Sequence, residues 1–317
     1  MRYALMTEPQ QGLSYDEILA VTRTAEESGF EAFFRSDHYA SFPGGAGRRT
    51  TDAWTTLAGL ARETSTIHLG TLVSPVTFRL PGNLAKVIQT ADELSNGRIE
   101  TGFGAGWNEE EHAQLGLPFR PIGERYDMLE EQMAIIHGLW TEGDGWSFSG
   151  KYWQVSNAKR HGEIARGGRR HPHILFGGKG GPRLASLVAR YGDEFNLLSA
   201  SPDDAPAAYA RIRAACRDIG RDPDEVVCSA MTGVLVAETE DDLRARVSDL
   251  MSEIGKSGAD AEAWLAQRRG RWIMGTPDEA RARVAALEAQ GTQRLMLQDF
   301  VPRDLDHVRL LGRLFVD

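Results

Sequence analysis

The sequence predicts an α/β fold, a (β/α)8 TIM barrel with insertions, from three observations. Short apolar runs of strand length alternate with longer helical runs along almost all of the 317 residues. Eight such units follow one another, and repeated strand-and-helix units require parallel strands with right-handed crossovers. Eight parallel strands close into a barrel of roughly 250 residues plus insertions. We therefore expect a single barrel domain over 1–317, with an open, doubly wound sheet as the alternative.

Eight short runs are expected to form the strands. In chain order they are 2–6, 31–36, 67–73, 98–104, 173–178, 194–199, 226–237 and 294–299. The first helix is expected from Ser14, because Ser14 and Glu17 have the spacing of a capping box and Gly29 supplies a stop. Thr276 and Glu279 form a second capping box, with proline at the first helical position. Further helices are expected at 51–64, 81–94 and 123–140.

Two segments interrupt the alternation of strands and helices. The stretch 146–158 is aromatic and rich in turn residues, which predicts a hairpin insertion. The stretch 239–272 is charged and helical in pattern, and it is longer than one crossover requires. We therefore expect a helical insertion after the seventh strand.

Composition excludes several classes of protein. No run approaches the roughly 18 apolar residues of a membrane span, and the first residues lack the apolar stretch of a signal peptide. The net charge is −9 and no Lys/Arg block occurs, which argues against nucleic acid as a partner. Cys216 and Cys228 fit neither a disulfide framework nor a zinc site. We expect a cytoplasmic protein with buried, reduced thiols and a small-molecule substrate.

Active sites of such barrels lie at the carboxyl ends of the strands. The second strand ends in Asp37 and His38, whose side chains point in opposite directions, so one can face the pocket while the other braces the loop. A histidine there can exchange a proton with a reacting group. The alternative is structural: Asp37 caps the next turn and His38 is merely packed.

The fourth strand ends in "TGFGAGWNEEEHAQLG" (101–116). Gly102, Gly104 and Gly106 alternate there, and their missing side chains allow a flat ring to approach the backbone. Trp107 can wall such a pocket, and Asn108 can hydrogen-bond the ring. The acids at 109–111 and the histidine at 112 look like metal ligands, but neighbours on a helix cannot converge on one ion. They are better interpreted as acids in a first helical turn, so we expect no metal.

The fifth strand ends in "GGKGGP" (177–182). Gly177, Gly178, Gly180 and Gly181 surround Lys179 before a helix that begins at proline. Free backbone N–H groups and the helix N-terminus favour an anion. Lys179 and Arg183 can supplement them. A flexible glycine turn is the alternative, since the stretch is neither a Walker nor a Rossmann motif.

Together these blocks resemble the luciferase-like monooxygenase superfamily, in the branch that uses the deazaflavin coenzyme F420. The likeness covers nearly the whole chain, in the blocks "EPQQG" (8–12), "FRSDHY" (34–39), "TDAWTTLAGLARET" (51–64), "GTLVSPVTFRLPGNLAK" (70–86), 101–116, "GERYDMLEEQMAIIHGLW" (123–140) and "GGKGGPRLASLVARYGDEFN" (178–196). The blocks at 8–12 and 51–64 are especially similar to F420-dependent oxidoreductases of actinobacteria. The blocks are specific only in combination.

The resemblance implies a set of coenzyme-binding residues. Asp37 and His38 are expected beside the deazaflavin ring, and Leu72–Val73 is expected to form a cis peptide bulge behind it. Further residues are expected to line the ring and its ribityl chain, or to hold the phosphate: Gly104, Gly106 and Asn108 for the former, and Gly177, Gly178, Lys179, Gly180 and Gly181 for the latter. Our catalytic candidates are His38, Asp37 and Trp107, with His38 stabilising charge on the ring or relaying a proton. A homodimer is usual for the family.

One departure from the family pattern concerns the substrate. In the sugar-phosphate dehydrogenases of this branch a glutamate follows the glycine run as proton donor, and here Trp107 occupies that place. The resemblance therefore implies a flatter or more apolar substrate than glucose 6-phosphate, with hydride passing to or from C5 of F420. Two alternatives stay open: an FMN-dependent monooxygenase on the same fold, and a barrel that binds a phosphorylated ligand without redox chemistry.

Overall fold

The computed structural model describes residues 1–41, 47–159, 170–254, 256 and 258–316. Its strands are β1 (Arg2–Thr7), β2 (Ala32–Arg35), β3 (His68–Thr71), β4 (Ser74–Pro75), β5 (Ile99–Gly104), β6 (Trp146–Ser149), β7 (Gln154–Ala158), β8 (His173–Gly178), β9 (Glu194–Leu197), β10 (Val227–Val236), β11 (Ile273–Gly275) and β12 (Arg294–Asp299). Its helices are α1 (Tyr15–Glu27), α2 (Ala53–Glu63), α3 (Pro81–Ser95), α4 (Glu109–Gln114), α5 (Ile122–Thr141), α6 (Pro182–Tyr191), α7 (Ala205–Asp218), α8 (Glu240–Glu253), α9 (Gly258–Arg269), α10 (Pro277–Ala289) and α11 (Leu305–Phe315).

Within these described residues, eight parallel strands close into a barrel, which confirms the predicted (β/α)8 fold. The order around the barrel is β1, β2, β3, β5, β8, β9, β10 and β12, and β12 pairs with β1 to complete the ring. Pairing between β3 and β5 stops at Gly70, opposite Glu100. It resumes where Ser74 of β4 lies opposite Phe103, so the chain at 72–73 leaves the sheet between these two points.

The predicted helix signals act as expected. Ser14 and Glu17 cap α1 reciprocally, since the Ser14 N–H donates to Glu17 Oε2 at 2.7 Å and the Glu17 N–H to Ser14 Oγ at 3.2 Å. Gly29 follows α1 with a φ of 79°, a conformation that glycine adopts without penalty. At α10 the Glu279 carboxylate accepts the Thr276 N–H at 2.8 Å. Each of these contacts satisfies a backbone donor that the first helical turn leaves without a partner.

The two faces of the strands build two cores. Inside the barrel a small cluster comprises Ala4, Met6, Ala32, Phe34, Leu72, Leu175, Met231 and Met296. Alternate residues, such as Leu5 and Phe33, point outward and pack in the larger cluster between strands and helices. Cys216 and Cys228 are free and buried in that larger core, as predicted, and burial raises the pKa of Cys228 to about 11.

Both predicted insertions are present. β6 and β7 form an antiparallel hairpin in which Trp146 lies opposite Ala158. The second insertion contains α8 and α9, and then returns to the sheet through β11, which pairs with the end of β10. Among the described residues, no helix has the length and apolar character needed to cross a bilayer.

The amino ends of the strands carry a buried ionic cluster, which we call the barrel floor: Arg294, Glu100, Glu194, His173 and His68. The Arg294 guanidinium donates to Glu100 at 2.6 Å and to Glu194 at 3.0 Å. His173 hydrogen-bonds Glu194, and His68 hydrogen-bonds Glu100, both at 3.0 Å. Glu100, His173 and Glu194 have their ligand atoms close enough together for an ion, but the Arg294 guanidinium already forms ion pairs with both carboxylates. The cluster is therefore an ionic tie between strands.

The charged groups of the barrel floor shift one another's pKa values. Burial raises the pKa of Glu100, but the Arg294 charge and the hydrogen bond from His68 outweigh it and hold that pKa well below its usual range. Burial lowers the pKa of His173, but its hydrogen bond to Glu194 and the charge of Glu100 outweigh that effect, and the pKa is raised above 6.5. The folded chain therefore favours the charged form of each group.

Candidate active site

A cavity of about 400 Å³ opens at the carboxyl ends of the strands, and we call it the strand-end cavity. The sequence prediction placed its candidates at these ends, and the structure brings most of them together. The cavity-lining candidates are Asp37, His38, Leu72, Val73, Gly104, Gly106, Trp107, Asn108 and Gly177. Gly178, Lys179, Gly180 and Gly181 are not among the described lining residues. They form the loop that follows Gly177.

His38 is held by a carboxylate that the sequence analysis did not single out. Its Nδ1 lies 2.7 Å from Oε2 of Glu111, which is fully buried. The other oxygen of Glu111 accepts the Tyr39 N–H at 3.0 Å, and Asn108 Nδ2 donates to Oε2 at 3.2 Å. When this carboxylate is ionised it only accepts hydrogen bonds, so Nδ1 then carries the proton in the pair. The imidazole is thereby fixed in orientation and tautomer, with its side chain 14% exposed.

The local sequence explains the position of Glu111. α4 begins at Glu109, as predicted, and Asn108 caps it by accepting the Glu111 N–H at 3.4 Å. Glu109 and Glu110 are exposed, whereas Glu111 and His112 turn inward. His112 does not join Glu111: its ring nitrogens lie 2.6 Å from Asn108 O and from Thr77 Oγ1. Glu111 and His112 therefore point to different partners. The sequence marks all three acids as a first helical turn, but it does not say which of them turns inward.

Asp37 points away from His38 and braces the loop. Its Oδ2 accepts from Arg79 NH1 and from Ser74 Oγ, both at 2.6 Å, and its Oδ1 accepts from Arg79 NH2 at 3.2 Å. Arg79 also pairs with Asp52, the cap of α2. Burial lowers the pKa of Arg79, but the charges of Asp37 and Asp52 outweigh it and raise that pKa. The carboxylate of Asp37 thus forms an ion pair with Arg79 beneath the cavity wall.

The peptide bond between Leu72 and Val73 is cis, as the resemblance implies. Val73 enters the space that two strand-end glycines leave open. A Cβ on Gly104 would lie 2.6 Å from a Val73 methyl group, and one on Gly177 would lie 2.8 Å from the other. Gly104, expected to make room for a flat ring, and Gly177, expected at the phosphate, thus also make room for Val73. All three residues line the cavity.

The loop 178–181 leads into α6, with Gly181 as the helix cap. A Cβ on Gly181 would meet nothing within 4 Å, whereas Gly180 has a φ of 67° and its Cβ would press on Phe195. Lys179 Nζ donates to Leu198 O at 2.5 Å, at the end of β9. Burial lowers the pKa of Lys179. The loop is thus tied to the next strand, and its open side lies at the α6 N-terminus.

Arg183 does not supplement that loop, contrary to our expectation. Its guanidinium forms ion pairs with Asp127 at 2.7 Å and with Glu130 at 2.8 Å. Both carboxylates belong to α5, the neighbouring helix. The side chain therefore links α6 to α5. It is held by these two carboxylates and does not reach the glycine loop.

The sequence analysis also missed two polar residues that line the strand-end cavity. Glu8 follows β1, and Gln298 lies near the end of β12. Gln298 Nε2 donates to Glu8 Oε1 at 2.7 Å, and Gln10 Nε2 donates to the other carboxylate oxygen. Gln10 in turn accepts from Ser36 Oγ at 2.6 Å. The predicted ends of the first and eighth strands were the signal for both, since barrel active sites draw on every strand end.

Comparison with known proteins identifies the fold family. Residues 1–294 match the family model described as luciferase-like monooxygenase. The chain belongs to this family.

The relatives of this luciferase-like chain include an F420-dependent dehydrogenase and a monooxygenase. It is 31% identical to the F420-dependent hydroxymycolic acid dehydrogenase of Mycobacterium tuberculosis, over 74% of this chain and 62% of that one. It is 30% identical to the pyrimidine monooxygenase RutA of Allorhizobium ampelinum, over 69% of this chain and 58% of that one. The matched stretches thus span about three fifths of these relatives.

Solved structures share the fold. An F420-dependent secondary alcohol dehydrogenase in complex with an F420-acetone adduct superimposes with a TM-score of 0.82 at 19% identity, covering 99% of this chain and 98% of that one. The monooxygenase RslO1 from Streptomyces bottropensis superimposes with a TM-score of 0.83 at 21% identity, covering 100% and 99%. At these identities the likeness is one of architecture.

Proposed function

We propose that this luciferase-like protein is an F420-dependent oxidoreductase that transfers a hydride between C5 of the deazaflavin and a small organic substrate. The observation that carries the proposal is the His38–Glu111 pair, which faces the strand-end cavity at the place where barrel enzymes do their chemistry. The F420-dependent relative that matches 74% of the chain supports the choice of coenzyme.

The residues present fit such a coenzyme. A cavity of about 400 Å³ is in the range of small-molecule sites, and Leu72, Val73 and Gly104 give it an apolar wall for a ring. The open N-terminus of α6 beside Gly181 suits a phosphate, because N–H groups in a first helical turn attract anions. When bound, F420 supplies the carbon that carries the hydride.

The chain itself would handle the proton. With Nδ1 engaged by Glu111, proton exchange with a ligand falls to Nε2 of His38. Glu111 would keep the imidazole aligned and stabilise its charged form, as a carboxylate does for a catalytic histidine. Asp37 would act only through the loop that it braces, and Trp107 would shape the entrance beside His38. In this proposal a flatter or more apolar substrate than glucose 6-phosphate is used.

An FMN-dependent monooxygenase is the second candidate, because RutA matches 69% of the chain at 30% identity. A titration with F420 and FMN side by side separates the two. We expect F420 to bind at least tenfold more tightly, a difference of about 1.4 kcal/mol. Equal dissociation constants, or tighter binding of FMN, would contradict the proposal and favour the monooxygenase.

A further inference from the structure

Two large apolar side chains are exposed at the mouth of the strand-end cavity. Trp107 is 60% exposed and Ile122 is 52% exposed, and both belong to the cavity lining. We call these two residues the apolar lip. Phe78 and Tyr126, which are partly buried, line the cavity with them. Exposed apolar surface that continues into a cavity is typical of a ligand site rather than of ordinary protein surface.

The apolar lip is held in place rather than loosely displayed. The guanidinium of Arg125, a residue of α5, donates to Gly106 O and to Ala105 O, the two carbonyls that precede Trp107. The Trp107 ring meets His38 edge-on, with 5.6 Å between ring centroids. Ile122 is the first residue of α5. One helix therefore positions both members of the lip.

Polar groups lie in the same cavity as the lip. His38, Glu8 and Gln298 are lining residues, and the carboxylate of Glu8 accepts hydrogen bonds from the side-chain amides of Gln298 and Gln10. The cavity thus offers hydrogen-bonding groups in its interior and apolar side chains at its mouth. A ligand that satisfies both carries a polar group and an apolar body.

We propose that the apolar lip binds the hydrocarbon part of an amphiphilic substrate whose hydroxyl or carbonyl group lies beside His38. The substrate class is therefore alcohols or carbonyl compounds with an extended apolar body. The assignment of the reacting end to His38 rests on the proposed function. Binding of the hydrocarbon by Trp107 and Ile122 does not depend on which coenzyme the chain uses.

The test is calorimetric binding of straight-chain primary alcohols from butanol to octanol. The protein is loaded with whichever of F420 or FMN it binds, or used as purified if it binds neither. We expect the dissociation constant to fall about fourfold with each added methylene group, the scale for burying one such group. In Trp107→Ala/Ile122→Ser that dependence on chain length should flatten, while the affinity for butanol changes little.

Leu115→Ser is the matched control. Leu115 is 49% exposed and lies between Trp107 and Ile122 in the sequence, but it is not among the described lining residues. This variant should keep the full dependence on chain length. Thermal melting of each variant shows whether it folds, and Trp107→Ala alone serves if the double variant does not.

Two results would overturn the proposal. One is an affinity that does not change with chain length in the wild-type protein. The other is an unchanged dependence in a folded lip variant. Either result can occur while F420 binds tightly, and chain-length dependence can appear while F420 fails to bind. Failure of the lip and failure of the proposed coenzyme are thus distinguishable.

Discussion

His38 and Glu111 lie 73 positions apart in the sequence and form one hydrogen-bonded unit at the cavity. The loop after β2 delivers the imidazole, and the first turn of α4 delivers the carboxylate. Burial of Glu111 makes the pair rigid, because its oxygens are also held by Tyr39 and Asn108. Under the proposed function, His38 moves the proton and Glu111 is a positioning residue.

The two roles predict different effects of substitution. His38→Ala should lower turnover by about 10²- to 10⁴-fold, the usual scale for a positioned acid or base, with little change in coenzyme affinity. Glu111→Gln should lower turnover less and shift its pH profile, because the amide keeps the shape but not the charge next to the imidazole. Steady-state rates from pH 5 to 9 measure both effects.

Glu110→Gln is the control for that prediction. Glu110 is the exposed neighbour of Glu111 and contacts Gln114 on the surface. Its substitution removes the same charge from the same helix without reaching His38. If His38→Ala turns over substrate at the wild-type rate across this pH range, His38 has a structural role and no role in proton transfer. A pH profile of Glu111→Gln that matches that of Glu110→Gln would remove the positioning role.

Sequence reasoning reached His38 but not its partner, for a geometric reason. A residue at the end of a predicted strand has a known location in a barrel, so His38 could be named from the strand alone. Glu111 lies on a short helix whose direction is set by packing against Phe78 and Phe119 around His112. Which of three consecutive acids turns inward depends on that packing.

At the scale of elements, the turn from β8 into α6 contains a lysine that donates to backbone carbonyls, and it leads to the accessible N-terminus of α6. Lys179 donates to the carbonyls of Leu198 and Ser199, which follow β9 and line the cavity, so its charge lies toward the cavity side of the loop. Gly181 leaves the first turn of α6 uncovered. An anion at this helix end would gain from N–H groups that have no acceptor within the helix.

Gly181→Asp should weaken F420 binding by about tenfold or more, because a fixed carboxylate at the cap repels the phosphate. The fold should tolerate the change, since aspartate is a favoured cap and nothing lies within 4 Å of the position its Cβ would take. Gly181→Asn is the matched control, with the same shape and no charge. Fluorescence titration with F420, and with a deazaflavin that lacks the phosphate-bearing tail, measures the effect.

The tail-less deazaflavin decides what Gly181→Asp means. Its affinity should stay within about twofold of the wild-type value. If both ligands weaken equally in Gly181→Asp, or if Gly181→Asn weakens F420 as much as aspartate does, the loop does not bind the phosphate. Gly180 is less suited to this test, because its φ of 67° strains any larger residue.

The order of strands and helices could be predicted from the sequence, but the residues at which they begin and end could be predicted only for some of them. β8 and β12 have the predicted bounds, since apolar residues end abruptly at both. β3 was expected over 67–73 and ends at Thr71, because the chain leaves the sheet at the cis bond and pairs again only as β4. A run of apolar letters at 72–73 is equally consistent with a strand and with a bulge. Periodicity alone does not separate them.

At the scale of the whole molecule, the barrel floor ties together strands from every third of the chain. Glu100 belongs to β5, Glu194 to β9 and Arg294 to β12. Their ion pairs span sequence separations of 194 and 100 residues. Removing one partner of such a buried pair leaves an uncompensated charge, which is more costly than loss of a surface pair.

The floor gives the fold a pH dependence with a definite sign. The pKa of His173 is raised above 6.5 in the folded chain, so its contribution to stability is fully present below 6.5. That contribution is lost as the pH rises through the raised pKa. Urea unfolding should therefore show a fall in the free energy of unfolding of the wild type on the alkaline side, and a smaller fall in His173→Gln.

His171→Gln is the comparison variant. His171 lies on the same side of the barrel, 3.8 Å from Asp193, but it does not bond the buried glutamates. It should keep the wild-type pH dependence. A His173→Gln protein whose stability changes with pH as the wild type does would show that the floor histidine does not titrate with folding.

Closure of the barrel could be predicted by counting strand-and-helix units in the sequence. The contacts of the barrel floor could not be predicted in this way. Eight strand-and-helix units leave few ways to satisfy both strand edges, so the topology needs no knowledge of contacts. Glu100, Glu194 and Arg294 meet only because closure brings the strand starts together. A single domain, a homodimer and a cytoplasmic location stay predictions.

The packing of Val73 between two strand ends also limits how this chain can evolve. A Cβ on Gly104 or on Gly177 would lie within 2.8 Å of a Val73 methyl group, so a side chain at either position requires Val73 to shift or to change. A smaller residue at 73 would relieve both positions at once. The three sites are therefore expected to be epistatic: a larger residue at 104 or 177 should be tolerated better once position 73 is smaller than valine.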